Sequence, residues 1–131
     1  MFEFRRVAAG ELDDLYAAHA EPDMELHLPV AYPDVEDLVG LAGLKELFRM
    51  FQEIWEEWRQ EPEAWARQGD TVVVLTTLVA RGKGSGAEIA TPAAHVWTLA
   101  DERVKRVEVQ PDRDAALHEA GLNPGDLRPW P

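Results

Sequence analysis

The chain has no cysteine, which excludes disulfides, thiolate nucleophiles and cysteine-ligated metals. Positive charge is scarce as well: 13 Lys and Arg stand against 25 Asp and Glu, a formal net charge of −12. The acids are spread along the chain instead of being gathered into one tail, and phosphate binding needs a clustered positive surface, so nucleic acid is not expected as a partner. No apolar run approaches the ~18 residues needed to cross a bilayer. The opening residues Met1-Phe2-Glu3-Phe4-Arg5-Arg6 lack the apolar core of a signal peptide, so a cytoplasmic protein without membrane association is expected. Only four histidines are present; they are scattered without a short ligand motif, and neither a metal nor another cofactor is expected.

What is present is a sheet with one good helix. Thr71 to Arg81, Glu88 to Leu99 and Arg103 to Val109 are rich in β-branched residues and lack helical periodicity between them, the pattern of an antiparallel meander. Asp112 to Leu117 closes it with a short helix, with Asp112 placed to cap the free amides and Asp114 suited to the positive end. Upstream, Leu44, Leu47, Phe48, Phe51, Trp55 and Trp58 follow three-four spacing and predict a helix from Leu44 to Trp58, stopped by Pro62. Residues up to Ala20 read as a helical region broken near Gly10. Met24 to Leu28 alternates as a short strand with His27 opposite Met24, Leu26 and Leu28. Pro29 to Val39 reads as loop or irregular strand, and Glu63 to Gln68 as a strand. Gly82-Lys83-Gly84-Ser85-Gly86 lacks the terminal Lys-Ser/Thr of a phosphate loop and reads as a hairpin connection. One domain over residues 1–122 with a Pro-rich, extended tail over 123–131 accounts for the chain. A helical layer over one curved sheet leaves a hollow between them, where a ligand would sit.

Several phrases, in order, resemble the nuclear transport factor 2 and ketosteroid isomerase superfamily, in particular its SnoaL-like polyketide-cyclase branch. They are Ala9 to Leu15 leading into Pro22-Asp23-Met24-Glu25-Leu26-His27-Leu28-Pro29, Leu41 to Leu47, Gly69-Asp70-Thr71-Val72-Val73-Val74, Gly84-Ser85-Gly86, Val96-Trp97-Thr98-Leu99, and Asp112-Arg113 through Ala116-Leu117 to Leu122. The resemblance implies a cone-shaped α+β roll, a curved mixed sheet wrapped around helices with a mostly apolar pocket, and homodimers through the sheet face. Val72, Val74, Ala94, Val96, Val107 and Val109 supply apolar positions for such a dimer. The superfamily holds enzymes and non-catalytic adaptors, so the fold does not fix a reaction. The isomerase base would fall on Leu28 and its tyrosine on Glu3 or Phe4, so the authentic steroid isomerase mechanism is not expected; the second aspartate of those enzymes falls on His95.

A tight turn at Asp101-Glu102 would pair Leu99 with Val104, Trp97 with Arg106 and His95 with Glu108 on one face. Glu108 would then raise the His95 pKa and leave an imidazole nitrogen for acid or base work; the bland reading is a polar cross-strand pair on a solvated or dimer-facing surface. A bulged turn would shift the pairing by one residue and separate them. His27, Tyr16, Trp97, Phe51, Trp55 and Trp58 complete the candidate set: His27 facing His95 across the hollow, Tyr16 donating to a ligand carbonyl, the others forming apolar walls or simply core. The resulting expectation is a pocket for a small, largely apolar organic molecule, or alternatively an isomerase, cyclase or hydrolase acting on a polyketide-, terpenoid- or steroid-like substrate by histidine chemistry.

Overall fold

The computed structural model describes residues 16–28 and 38–131; the helical reading of residues before Tyr16 and the loop reading of 29–37 lie outside them. Residues 16–19 are helical. They are followed by β1 (Ala20–His27), β2 (Leu38–Val39), α1 (Gly40–Ile54), β3 (Trp55–Gln68), β4 (Thr71–Gly82), β5 (Glu88–Ala100), β6 (Arg103–Gln110), α2 (Arg113–Glu119), a 3-10 turn (Pro124–Asp126) and β7 (Arg128–Pro129). All seven strands join one mixed sheet in the order β2-β1-β6-β5-β4-β3-β7. Among the described strands only β1 and β6 run parallel; the meander β3 to β6 is antiparallel throughout. This is the curved α+β sheet that the resemblance implies.

The two faces have different covers. On the inner face Val72, Val74, Trp97, Val104, Met24, Leu26 and Tyr16 form a buried cluster, against which Leu41, Leu44 and Leu47 of α1 pack. On the outer face Val73, Leu75, Ala94 and Ala66 are buried with Ala116 and Leu117 of α2 and with Leu122. Strand alternation accounts for the split, since successive residues of β4 point to opposite faces. The dimer positions expected from the sequence therefore do not share a face. Val72, Val74 and Val107 belong to the inner cluster, whereas Ala94 and Val96 lie on the outer one with α2.

The long helix is a second correction. It spans Gly40 to Ile54, and Trp55 to Gln68 is a strand. The backbone turns extended at Trp55 (φ −111°, ψ 133°), whose N–H still donates to Phe51 O. Trp55 lies opposite Gly82 and Trp58 opposite Ala80, with a register shift that leaves Glu56 unpaired between them. A bulge lets two residues three apart share one face, so the spacing that reads as helical is also the spacing of a bulged strand. Pro62 sits within β3, two residues before the short stretch where β7 pairs with Ala64 and Trp65. There the strand is an edge, and a missing N–H costs no ladder bond. The helix start is set by close approach: a Cβ on Gly43 would lie 2.9 Å from the Leu38 carbonyl carbon and from its Cβ.

At its C-terminal end the sheet is stapled by α2. The Asp112 carboxylate accepts from Ala115 N at 3.0 Å, capping the helix as the sequence indicates. Arg113 donates to Ala93 O (3.2 Å) and Thr76 O (2.7 Å) and pairs with the Glu63 carboxylate. β6 ends opposite Ala94 and β3 bulges at Glu63. The guanidinium thus occupies the region where both ladders are interrupted and supplies donors to backbone carbonyls there.

Candidate functional site

Register decides where each candidate side chain points. The β5–β6 hairpin begins as the sequence indicates, with Ala100 opposite Arg103 and Leu99 opposite Val104. The next pair is Thr98 with Arg106, so Lys105 is an extra residue, and beyond it Trp97 faces Val107, Val96 faces Glu108 and His95 faces Val109. The bulge has a clear cause. Val104, Val107 and Val109 are spaced three then two, and only an unpaired residue between the first two turns all three to the inner face. Without it Arg106 and Glu108 would be turned inward.

His95 and Glu108 therefore lie on opposite faces, and the expected pair does not form. Glu108 is the register partner of His27 on β1, on the outer face. There His27 Nε2 lies 3.3 Å from Glu25 Oε1 and Arg106 Nη2 lies 3.6 Å from Glu108 Oε2. The structure brings two of the three expected catalytic residues together, but across the sheet from the third. His27 does not face His95 across a hollow, because Leu26, its neighbour in the strand, holds the inner position.

His95 is buried on the inner face at 7% exposure, opposite Val74 and Val109. Burial pushes its pKa down to about 4, the reverse of the rise expected from Glu108, so the imidazole is neutral at physiological pH. Thr76, with no exposed surface, is the other buried polar residue among those described. It faces Ala93 and is a diagonal neighbour of His95 on the same side. Its Oγ1 donates to Gln60 Oε1 at 3.0 Å. Gln60, Thr76 and His95 thus run as a polar diagonal across β3, β4 and β5 within an otherwise apolar wall. Sequence reading missed Gln60 and Thr76. Thr76 did carry a signal, since it follows Val72 and Val74 in the inward alternation of β4.

The aromatic candidates are better placed than the catalytic ones. Trp58 packs against Phe48 and Phe51 of α1 with ring centroids 5.2 Å apart, edge-on in the case of Phe51. Trp55 lies on the same wall, its Nε1 buried without a hydrogen-bond partner among the described residues. Trp97, 4% exposed, is core. The hydroxyl of Tyr16 is already engaged by Glu21 O (2.8 Å) and Pro22 O (3.0 Å), and burial raises its pKa. It fastens the entry to β1 and is not presented to a ligand. Among the described residues no group of three or more His, Asp or Glu side chains could hold a metal ion, and no helix is long and apolar enough to cross a membrane.

Solved structures share this architecture. TerC, crystallised with polyporic acid, is 26% identical, with 83% of this chain and 84% of that one covered at a TM-score of 0.69. An NTF2-like protein of unknown function from Burkholderia pseudomallei is 20% identical over 85% and 86% of the two chains, also at 0.69. A protein of ketosteroid isomerase-like fold from Catenulispora acidiphila, in complex with trimethylamine, is 15% identical over 88% and 96% at 0.63. No curated protein matches the chain. The SnoaL-like domain model matches residues 2–107, a span holding the buried inner cluster from Tyr16 to Val104, and the chain belongs to the SnoaL-like domain family.

Proposed function

We infer that the protein binds a small, largely apolar organic molecule between α1 and the inner face of the sheet, with a polar atom of the ligand beside His95. One observation carries this reading: the two buried polar residues among those described, Thr76 and His95, are neighbours on the wall facing α1. A few convergent polar groups in an apolar wall are the usual form of a small-molecule site. The small molecules held by TerC and by the Catenulispora protein support it. The geometry favours binding over histidine-based isomerisation, cyclisation or hydrolysis. A neutral imidazole of low basicity makes one donated and one accepted hydrogen bond but is a poor base at neutral pH, and Glu108 and His27 stand on the other face.

Native mass spectrometry of the purified protein, with calorimetric titration of polyporic acid as a defined probe, tests this. A bound molecule or a saturable titration is expected, and His95→Ala should weaken binding by about 1–3 kcal/mol, the cost of a lost buried hydrogen bond. Absence of both signals in the native protein, or full affinity in the variant, would remove the reading.

A homodimer is part of the same proposal, formed through the outer face of the sheet, where Val96 is only half-buried beside α2. Light scattering at micromolar concentration should give twice the chain mass; a monomer there overturns it.

A further inference from the structure

The polar diagonal has a directionality that decides what it can accept. A threonine hydroxyl has one proton, and that of Thr76 is committed to Gln60 Oε1. The amide group is planar, with oxygen and nitrogen on opposite sides of the same carbon. Anchoring the oxygen on a buried hydroxyl therefore turns the N–H pair away from Thr76. Thr76 is the one hydrogen-bond partner of the Gln60 side chain among the described residues. Gln60 lies opposite Leu78, two residues along β3 from Trp58, whose ring packs on Phe48 and Phe51. A donor pair is thus held at the edge of an aromatic wall, and Gln60 is only part-buried, so the pair remains accessible.

We propose that Gln60 is a specificity-determining residue of the ligand site: its amide N–H pair, oriented by Thr76, receives a carbonyl oxygen and selects neutral carbonyl compounds over hydrocarbons of the same shape, and over alcohols because a hydroxyl's own proton finds no acceptor at a donor-only group. This deepens the binding reading above and rests on it. The acceptor is neutral because an amide brings no charge to offset a buried anion. The opposite amide orientation, with Thr76 accepting from nitrogen, would present an oxygen to the ligand and select a hydroxyl instead, so the two orientations predict opposite preferences.

Calorimetric titration of the full chain with α-tetralone, α-tetralol and tetralin separates them. The ketone should bind about ten-fold more tightly than the hydrocarbon, as expected for one additional buried hydrogen bond. Gln60→Leu should bring the ketone down to the affinity of tetralin while tetralin itself is unaffected. Gln60→Glu, nearly isosteric but lacking donors when ionised, should lose the ketone too, which separates donation from packing. Thr76→Val should lose most of the discrimination and Thr76→Ser should restore it, a rescue that a purely structural threonine would not give. Melting curves of each variant identify any that fail to fold, and Gln60→Glu is the reference should Gln60→Leu do so. An unchanged ketone preference in folded Gln60→Glu, or a native preference for the alcohol, overturns the proposal while the binding site stands. Failure of all three probes to bind the native chain overturns the proposal and counts against the site as well.

Discussion

Trp97→Ala is expected to destabilise the fold by about 3–5 kcal/mol, the range for deleting a buried large aromatic from a core that relaxes only in part. Trp97 is 4% exposed and shares the inner cluster with Tyr16, Met24, Leu26, Val72 and Val104. It stands between Val72 on β4 and Val107 on β6, so its removal opens a void at the centre of the sheet where neither neighbouring strand can move inward without breaking its ladder. Urea unfolding followed by far-ultraviolet circular dichroism should show a lower midpoint at unchanged slope. A loss below about 1 kcal/mol would mean that the indole lines open space instead of filling a core.

The second large effect is a pH dependence that belongs to His95. In the folded chain burial holds the imidazole neutral down to about pH 4, whereas in the unfolded chain it takes up a proton near its ordinary value of 6.5. Between these values the unfolded state binds a proton that the folded state does not, so stability falls as pH falls. The loss begins near pH 6.5, is complete near pH 4 and amounts to about 3 kcal/mol. The carboxylates titrate in the same window, so the informative quantity is a difference. Native chain and His95→Gln are unfolded in urea at pH 7 and at pH 4, and the native chain should lose roughly 3 kcal/mol more than the variant between the two. Equal losses would mean that the imidazole is solvated in the fold.

Much of this architecture is legible in the residues, and the failures share one physical origin. Runs such as Val72-Val73-Val74 and the cap at Asp112 act locally, and the meander and the closing helix follow from them. Bulges are decided by which faces a ladder buries over its whole length, and a window of a few residues does not contain that information. Trp55 and Trp58 read as helical because a bulge at Glu56 imitates the period of a helix. His95 and Glu108 read as partners because Lys105 counts as a paired residue until the inward demand of Val107 and Val109 is weighed against that of Arg106 and Glu108. Gln60 was hidden by the first of these errors, since it lies just beyond what reads as a helix. The aromatic wall survived them, because Trp58 and Phe51 are inward in either reading.

The extra residue in β6 also bears on how this strand tolerates changes in chain length. Lys105 takes no place in the ladder, with Val104 and Arg106 pairing on either side of it. Excising it would shorten the chain yet leave every later residue of β6 opposite its present neighbour and on its present face. Excising any one residue from Arg106 to Gln110 would instead invert the side chains that follow, unless Lys105 were drawn into the ladder to compensate. The bulge is thus a one-residue reserve of slack, and the part of the sheet against which His95 is buried is the part it protects from a frame error.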